Sequence, residues 1–259
     1  MGILGSLGRG KTLALTYLCW NNYFLKKRKI YANYTLYGIP FRYVDSIEAL
    51  ESIIPLDNRF EDIFKNEEYV LAGDELWRWV SSQCIGRGSR FKRELINKIL
   101  LASRKAFITI IYTSQTSRQI DSWIRETTDI WVYPILSGDI LTLYFCDRAI
   151  NSPTYYDLVK YSVDKPIRVW ATPFYAMYNT YERVLVLKES GSVGSEVVYD
   201  ISKNPAWYKY IVIDNKHSEE EFKKMCDYIR KKFWLLGGDD GEKVSADNKL
   251  GEPKELEGN

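Results

Sequence analysis

Near the start of a 259-residue chain, Gly5-Ser6-Leu7-Gly8-Arg9-Gly10-Lys11-Thr12 satisfies the spacing G-x-x-x-x-G-K-[ST]. The glycines let backbone N–H groups curl around phosphate oxygens with no Cβ in the way. A helix starting at the loop would aim its positive N-terminus at the same anions. Lys11 would bring a point charge to the β- and γ-phosphates of a nucleoside triphosphate, and the Thr12 hydroxyl would be a ligand for Mg²⁺. The loop therefore predicts a site for ATP and Mg²⁺, with Gly5, Ser6, Leu7, Gly8, Arg9, Gly10, Lys11 and Thr12 as its nucleotide-binding residues.

Two further groups carry the chemistry such a site needs. Tyr69-Val70-Leu71-Ala72-Gly73-Asp74-Glu75 is an apolar run ending in an acidic pair. Asp74 would bind the metal, usually through water, and Glu75 would polarise the attacking water. An acidic turn after a strand is common by itself, and it gains meaning here from the phosphate loop upstream. Tyr112-Thr113-Ser114-Gln115 follows the most apolar stretch of the chain. Ligands of open α/β sheets sit at the carboxyl ends of strands, where Gln115 could hydrogen-bond the water or the γ-phosphate. A polar strand-end residue satisfied by backbone is the plainer alternative.

The elements that must position these residues alternate. Met1 to Leu4 is a short apolar run before the loop, and a helical pattern covers Lys11 to about Lys26, with basic residues at its end. Ile30 to Leu36 reads as a strand, Ser46 as the cap of a short helix bearing Ile47, Leu50 and Ile54, and Tyr69 to Ala72 as a second strand. Residues 91–105 recover a helical period, and Ala106 to Tyr112 has the continuous apolar, β-branched character of a strand buried on both faces. A helix over 118–126 and two strands between Ile130 and Phe145, turning at Ser137-Gly138-Asp139, complete the pattern. It predicts an α/β domain around a mainly parallel sheet, over residues 1–189. Residues 190–236 are expected to form a small strand–helix module, with Ser218 and Glu221 as a capping box and an apolar stripe of Phe222, Met225, Cys226, Ile229 and Phe233. Residues 237–259 lack aromatics and are expected to be a disordered acidic tail.

Composition excludes several classes. Hydrophobic residues make up 46% and charged residues 27%, an ordinary globular balance. Net charge is +2, but 237–259 carry seven acidic residues against three lysines, a local −4 that leaves the body at +6 and able to serve an anionic partner. Cys19, Cys84, Cys146 and Cys226 show no paired spacing, and His217 is the single histidine, which argues against a disulfide framework or a zinc site. No apolar stretch approaches the ~20 residues of a membrane helix, so the expected location is the cytoplasm.

These residues resemble a family. The phosphate loop, Asp74-Glu75, and the stretch from Ala102-Ser103-Arg104-Lys105 through Thr113-Ser114-Gln115 to Gln119-Ile120-Asp121-Ser122-Trp123-Ile124-Arg125-Glu126-Thr127-Thr128-Asp129 are similar to those of the zonular-occludens-toxin-like (Zot-like) P-loop ATPases of the FtsK/HerA superfamily. Ile30-Tyr31-Ala32-Asn33 and Tyr178-Asn179-Thr180-Tyr181-Glu182 fit the same pattern. The resemblance covers about residues 1–185 and is most specific over 102–129. It implies a RecA-like sheet, a hexameric ring, and ATP-driven translocation of double-stranded DNA, commonly to load a virion, with a capsid or portal-like docking protein as a further partner. Two departures stand out. The strand before the loop spans only Met1 to Leu4, which leaves room for a start upstream, and the membrane helix of the filamentous-phage members has no counterpart here. That favours a packaging or segregation motor over an extrusion factor.

Motors of this kind complete their site with an arginine from a neighbouring subunit. Arg104, Arg125 and Arg148 are the candidates, and the sequence does not choose among them. On a helix over 90–105, Arg90, Arg93, Asn97 and Arg104 would share a face that could meet phosphates or simply water. The reading that results is a Mg²⁺-dependent ATPase moving duplex DNA, with viral genome packaging first and plasmid or chromosome transfer second. A low-turnover nucleotide-binding scaffold and a helicase-like repair factor remain as rivals.

Overall fold

A computed structural model describes residues 1–46, 49, 53, 68–75, 108–120, 122–147, 160, 162, 165–179, 193–198 and 211–237. The strands are β1 (Gly2–Leu4), β2 (Lys29–Ala32), β3 (Phe41–Tyr43), β4 (Tyr69–Gly73), β5 (Ile108–Ser114), β6 (Ile130–Ser137), β7 (Ile140–Asp147), β8 (Ile167–Trp170), β9 (Glu196–Val197) and β10 (Ile213–Asp214). The helices are α1 (Lys11–Lys26), α2 (Ser122–Thr127), α3 (Thr172–Tyr175) and α4 (Glu219–Gly237), with a 3-10 turn at Ser117–Gln119.

All ten strands join one sheet in the order β10-β8-β7-β6-β1-β5-β4-β2-β3-β9. The six from β6 to β3 are mutually parallel, and antiparallel strands extend the sheet at both ends. Side chains alternate across the parallel block. Ile3, Ile30, Ala32, Val70, Ala72, Ile111 and Val132 face α1, together with Leu13, Leu15 and Tyr17 of that helix. Leu4, Tyr31, Leu71, Tyr112, Trp131 and Tyr133 face the other way, onto Ile120 and Ile124. Burial on both faces is why these strands read as continuous apolar runs instead of alternating ones. The mainly parallel α/β sheet expected from the pattern is the architecture found.

Several boundaries differ from expectation. The strand expected over Ile30 to Leu36 ends at Ala32, after which Asn33, Tyr34 and Leu36 turn inward and are buried. The helix expected over 118–126 is instead the 3-10 turn followed by α2. The hairpin of β6 and β7 is as expected, turning at Gly138 with φ 56°. From the stretch 190–236, β9 pairs with β3 and β10 with β8, so this stretch supplies both edges of the sheet. Ahead of α4, the Ser218 and Glu221 side chains cap each other's backbone N–H groups, and Phe222 and Cys226 pack on Ile140 and Trp170. Ser46 accepts a bond from the Ala49 N–H at 3.1 Å, but Ile47, Leu50 and Ile54 lie outside the described residues, as do 76–107 and 238–259. Among the described residues no helix is long and apolar enough to cross a membrane.

Candidate nucleotide-binding site

Because β1, β4 and β5 run parallel, their carboxyl ends share one edge, and the three sequence groups meet there. The strand carrying Gln115 lies between the strand that feeds the loop and the strand that feeds the acidic pair.

The loop is built by local backbone geometry. Its first residue is tied down, since the Gly5 N–H donates to the Ser114 carbonyl at 3.3 Å. Ser6 to Arg9 are then exposed, and the Arg9 N–H turns back onto the Ser6 carbonyl at 3.4 Å, which curls the loop. Gly10 caps α1 in the left-handed region (φ 84°, ψ 27°), and a Cβ there would stand 3.1 Å from Leu141 Cδ1 and 3.4 Å from Leu136 Cβ. The β6–β7 hairpin thus packs directly against the loop. Lys11 folds back to donate from Nζ to the Ser6 carbonyl at 3.1 Å, which keeps its charge over the loop. Its titration is lowered by burial, an effect opposed by the carboxylates of Asp74 and Glu75.

Thr12 joins the loop to the acidic pair. Its hydroxyl donates to Asp74 Oδ2 at 3.1 Å, while Thr113 Oγ1 donates to Asp74 Oδ1 at 2.6 Å. Burial holds the Asp74 carboxyl above its ordinary range, the two threonine hydroxyls pull it back, and nearby Glu75 adds to the rise. Glu75 has φ 50°, and its N–H donates to Thr113 Oγ1 at 2.8 Å. The buried Asn33 amide holds Asp74 by its backbone, accepting the Asp74 N–H at 2.7 Å and donating to the Asp74 carbonyl at 2.9 Å. Gln115 sits half-buried on a braced bend. The Ser114 hydroxyl donates to the Thr116 carbonyl at 3.0 Å, and the Thr116 N–H donates to the Gln119 side chain at 3.3 Å.

Lys11, Thr12, Asp74 and Glu75 are therefore brought into one cluster, with Gln115 on the adjoining strand end. Arg125 is not part of it. Arg125 lies half-buried on α2, on the face of the sheet opposite α1, near Tyr112, whose phenol burial pushes up against the opposing pull of the Thr128 hydroxyl and the Arg125 charge. Arg104 and Arg148 lie outside the described residues. Asn33 and Thr113 escaped the sequence reading as site residues. Both stood inside segments noted for other reasons, and a polar residue at the end of an apolar strand was the available signal.

The donors that converge at Thr12 and Asp74 are a hydroxyl and a carboxylate, hard oxygens beside a lysine, and this set suits Mg²⁺ carried on a triphosphate. A phosphate loop between a central parallel strand and a helix, with an acidic pair two strands away at the same edge, defines a RecA-like P-loop NTPase fold. No protein-family model matches the chain, and neither does any curated protein sequence. Among solved structures, the chain is similar to the N-terminal domain of zonular occludens toxin from Neisseria meningitidis. The identity is 17% and the TM-score 0.45, over 69% of this chain and 97% of that one. It is also similar to the genome packaging NTPase B204 from Sulfolobus turreted icosahedral virus 2 in complex with ATP-gammaS (13% identity, TM-score 0.36, 57% of this chain and 91% of that one). A third is the pCW3 conjugation coupling protein TcpA with ATPgS, at 12% identity and TM-score 0.41, over 67% of this chain and 64% of that one. The fold class stated above rests on the sheet order and the loop geometry of the chain itself.

Proposed function

We propose that the protein is a Mg²⁺-dependent ATPase that couples hydrolysis to movement of double-stranded DNA, as a homo-oligomeric ring that packages a viral genome. The observation that carries the ATPase reading is the contact of Thr12 with Asp74 beside Lys11, because it assembles phosphate, metal and acidic functions at one edge of the sheet.

The division of labour follows from the residues. The loop N–H groups and Lys11 bind the β- and γ-phosphates, and Thr12 and Asp74 hold Mg²⁺. When bound, that ion would supply positive charge beside the phosphate oxygens. Glu75, one residue beyond the metal position, orients the attacking water and accepts its proton. Gln115 holds the same water or the γ-phosphate from the adjoining strand. An arginine from the next protomer, with Arg104, Arg125 and Arg148 as candidates, completes the site. The DNA and packaging parts of the reading draw on the sequence resemblance over 102–129 and on the basic surplus of the body.

ATP turnover by the full chain, with and without long duplex DNA, tests the proposal. Turnover that requires Mg²⁺ and rises with DNA of any sequence supports it, and the DNA dependence should weaken as salt is raised. Nucleotide binding with negligible turnover in both conditions would instead mark a scaffold.

A further inference from the structure

The main-chain polar groups of Asp74 and the N–H of Glu75 are all satisfied by two side chains, Asn33 just beyond β2 and Thr113 of β5. Strand β2 pairs with β4 as far as Ala32 opposite Ala72, where its regular pairing stops. One residue later the Asn33 side chain takes over as a substitute strand, giving Asp74 an acceptor at 2.7 Å and a donor at 2.9 Å. Thr113, on the other flank, accepts the Glu75 N–H at 2.8 Å and donates its hydroxyl hydrogen bond to Asp74 Oδ1 at 2.6 Å. Between these two clamps the chain turns into the left-handed region at Glu75, φ 50°, which a residue with a Cβ avoids unless its surroundings impose it. Asn33 is buried and Thr113 fully so, so water cannot replace either partner.

We propose that Asn33 and Thr113 are positioning residues for the Glu75 carboxylate, holding the 74–75 peptide in the one conformation that aims Glu75 at the reacting water. The inference rests on the role given to Glu75 above. Its physical content is geometric. The direction of a side chain from the backbone follows φ, so relaxation of Glu75 from positive to negative φ swings its Cα–Cβ bond to a different direction. A displacement of about 1 Å at a reacting group is enough to cost about 10²-fold in rate. Phosphate binding belongs to the loop and Lys11, whereas Thr113 also touches the Asp74 carboxylate, so nucleotide affinity is compared without Mg²⁺.

The test uses the full chain with Asn33→Leu, Thr113→Val and Thr113→Ser, each in the wild-type and the Glu75→Gln background. Single-turnover hydrolysis in Mg²⁺ is measured beside the Kd of a fluorescent ATP analogue in EDTA. Asn33→Leu and Thr113→Val are expected to lower the hydrolysis rate by about tenfold or more with Kd changed by less than about threefold, while Thr113→Ser, which keeps the hydroxyl, stays near wild type. In the Glu75→Gln background the same substitutions should add less than about twofold, because the group they aim is already gone. A full additional loss in that background, or wild-type rates for both Asn33→Leu and Thr113→Val, overturns the positioning role. If Asn33→Leu does not fold, the contrast of Thr113→Val with Thr113→Ser decides. Glu75→Gln hydrolysing at the wild-type rate sinks the reading of Glu75 itself, and the positioning role with it. Loss in Glu75→Gln without loss in the clamp variants sinks the positioning role alone.

Discussion

The Thr12 hydroxyl lies 3.1 Å from Asp74 Oδ2 across a sequence separation of 62 residues, and it is the point where the first turn of α1 meets the end of β4. With Thr113 on Oδ1, both oxygens of this buried carboxylate are occupied by hydroxyl donors. The pair places a hydroxyl and a carboxylate beside the loop, whose arc of Ser6 to Arg9 stays exposed.

Lys11 and Glu75 should fail in different ways. Lys11→Ala removes the point charge that faces the phosphates, so nucleotide affinity itself should fall. Glu75→Gln keeps the size and polarity of the side chain but not its basicity, so binding should persist while turnover drops by about 10²-fold or more. Equilibrium binding of an ATP analogue and steady-state turnover, measured on both variants, separate the two. Wild-type turnover in Glu75→Gln refutes its assignment.

Asp74 makes the ligand-free protein less stable than it could be. Burial raises its folded-state titration above the ordinary value of 3.8, so the folded chain holds this proton more tightly than the unfolded chain. Stability from this group is full below the unfolded value and is lost as pH rises through the folded one. Asp74→Asn, which keeps partners for both threonines, should therefore raise the Tm of the ligand-free protein at pH 7, by about 2–4 °C for each kcal/mol released. The gain should shrink as pH falls toward 3.8, and Mg²⁺ should add less to the stabilisation by ATP in the variant than in the wild type. Thermal unfolding across pH checks all three; a lower Tm at pH 7 contradicts the account.

Two glycines of the loop should differ in their tolerance of alanine. Both have positive φ, 74° at Gly8 and 84° at Gly10, so each substitution carries a backbone strain of about 1 kcal/mol. At Gly8 the new Cβ meets nothing within 4 Å, whereas at Gly10 it meets Leu141 and Leu136 of the hairpin. Gly10→Ala should cost about 2 kcal/mol in denaturant unfolding against about 1 kcal/mol for Gly8→Ala. Equal costs would mean that the hairpin does not press on the loop.

The sequence announced the parts of this site whose chemistry is local. The phosphate loop needs fixed residue types at contiguous positions, and the acidic pair needs only a strand end, so both could be read from spacing. Asn33 stands inside the tyrosine-rich stretch that reads as a strand from Ile30 to Leu36 and nothing local marks it, because its partner is the backbone of Asp74, 41 residues away, and depends on the register that sets Ala32 opposite Ala72. The same segment favoured a strand as far as Leu36 through its β-preferring residues, while burial of Tyr34 and Leu36 in the α1-side core draws the chain away from the sheet after Ala32. Strands β9 and β10, of two residues each, are too short to show any period, and long-range pairing at the sheet edges defines them.

Activity should belong to an assembly of chains. The cluster at the loop holds one lysine and no arginine from its own α2, since Arg125 lies on the opposite face of the sheet from α1. A finger arginine supplied by the adjacent protomer would place each active site at a subunit interface, and head-to-tail contacts of that kind close into rings. Specific activity should then rise with protein concentration. Mixing a finger variant with Lys11→Ala subunits should partly restore turnover, because a protomer with an intact loop borrows its arginine from a neighbour whose own loop is disabled. Arg104→Ala, Arg125→Ala and Arg148→Ala are each mixed in turn, and only the true finger should show this complementation, with single-variant losses of about 10³-fold or more. Turnover per chain that stays constant down to concentrations at which the protein sediments as a monomer would refute the ring.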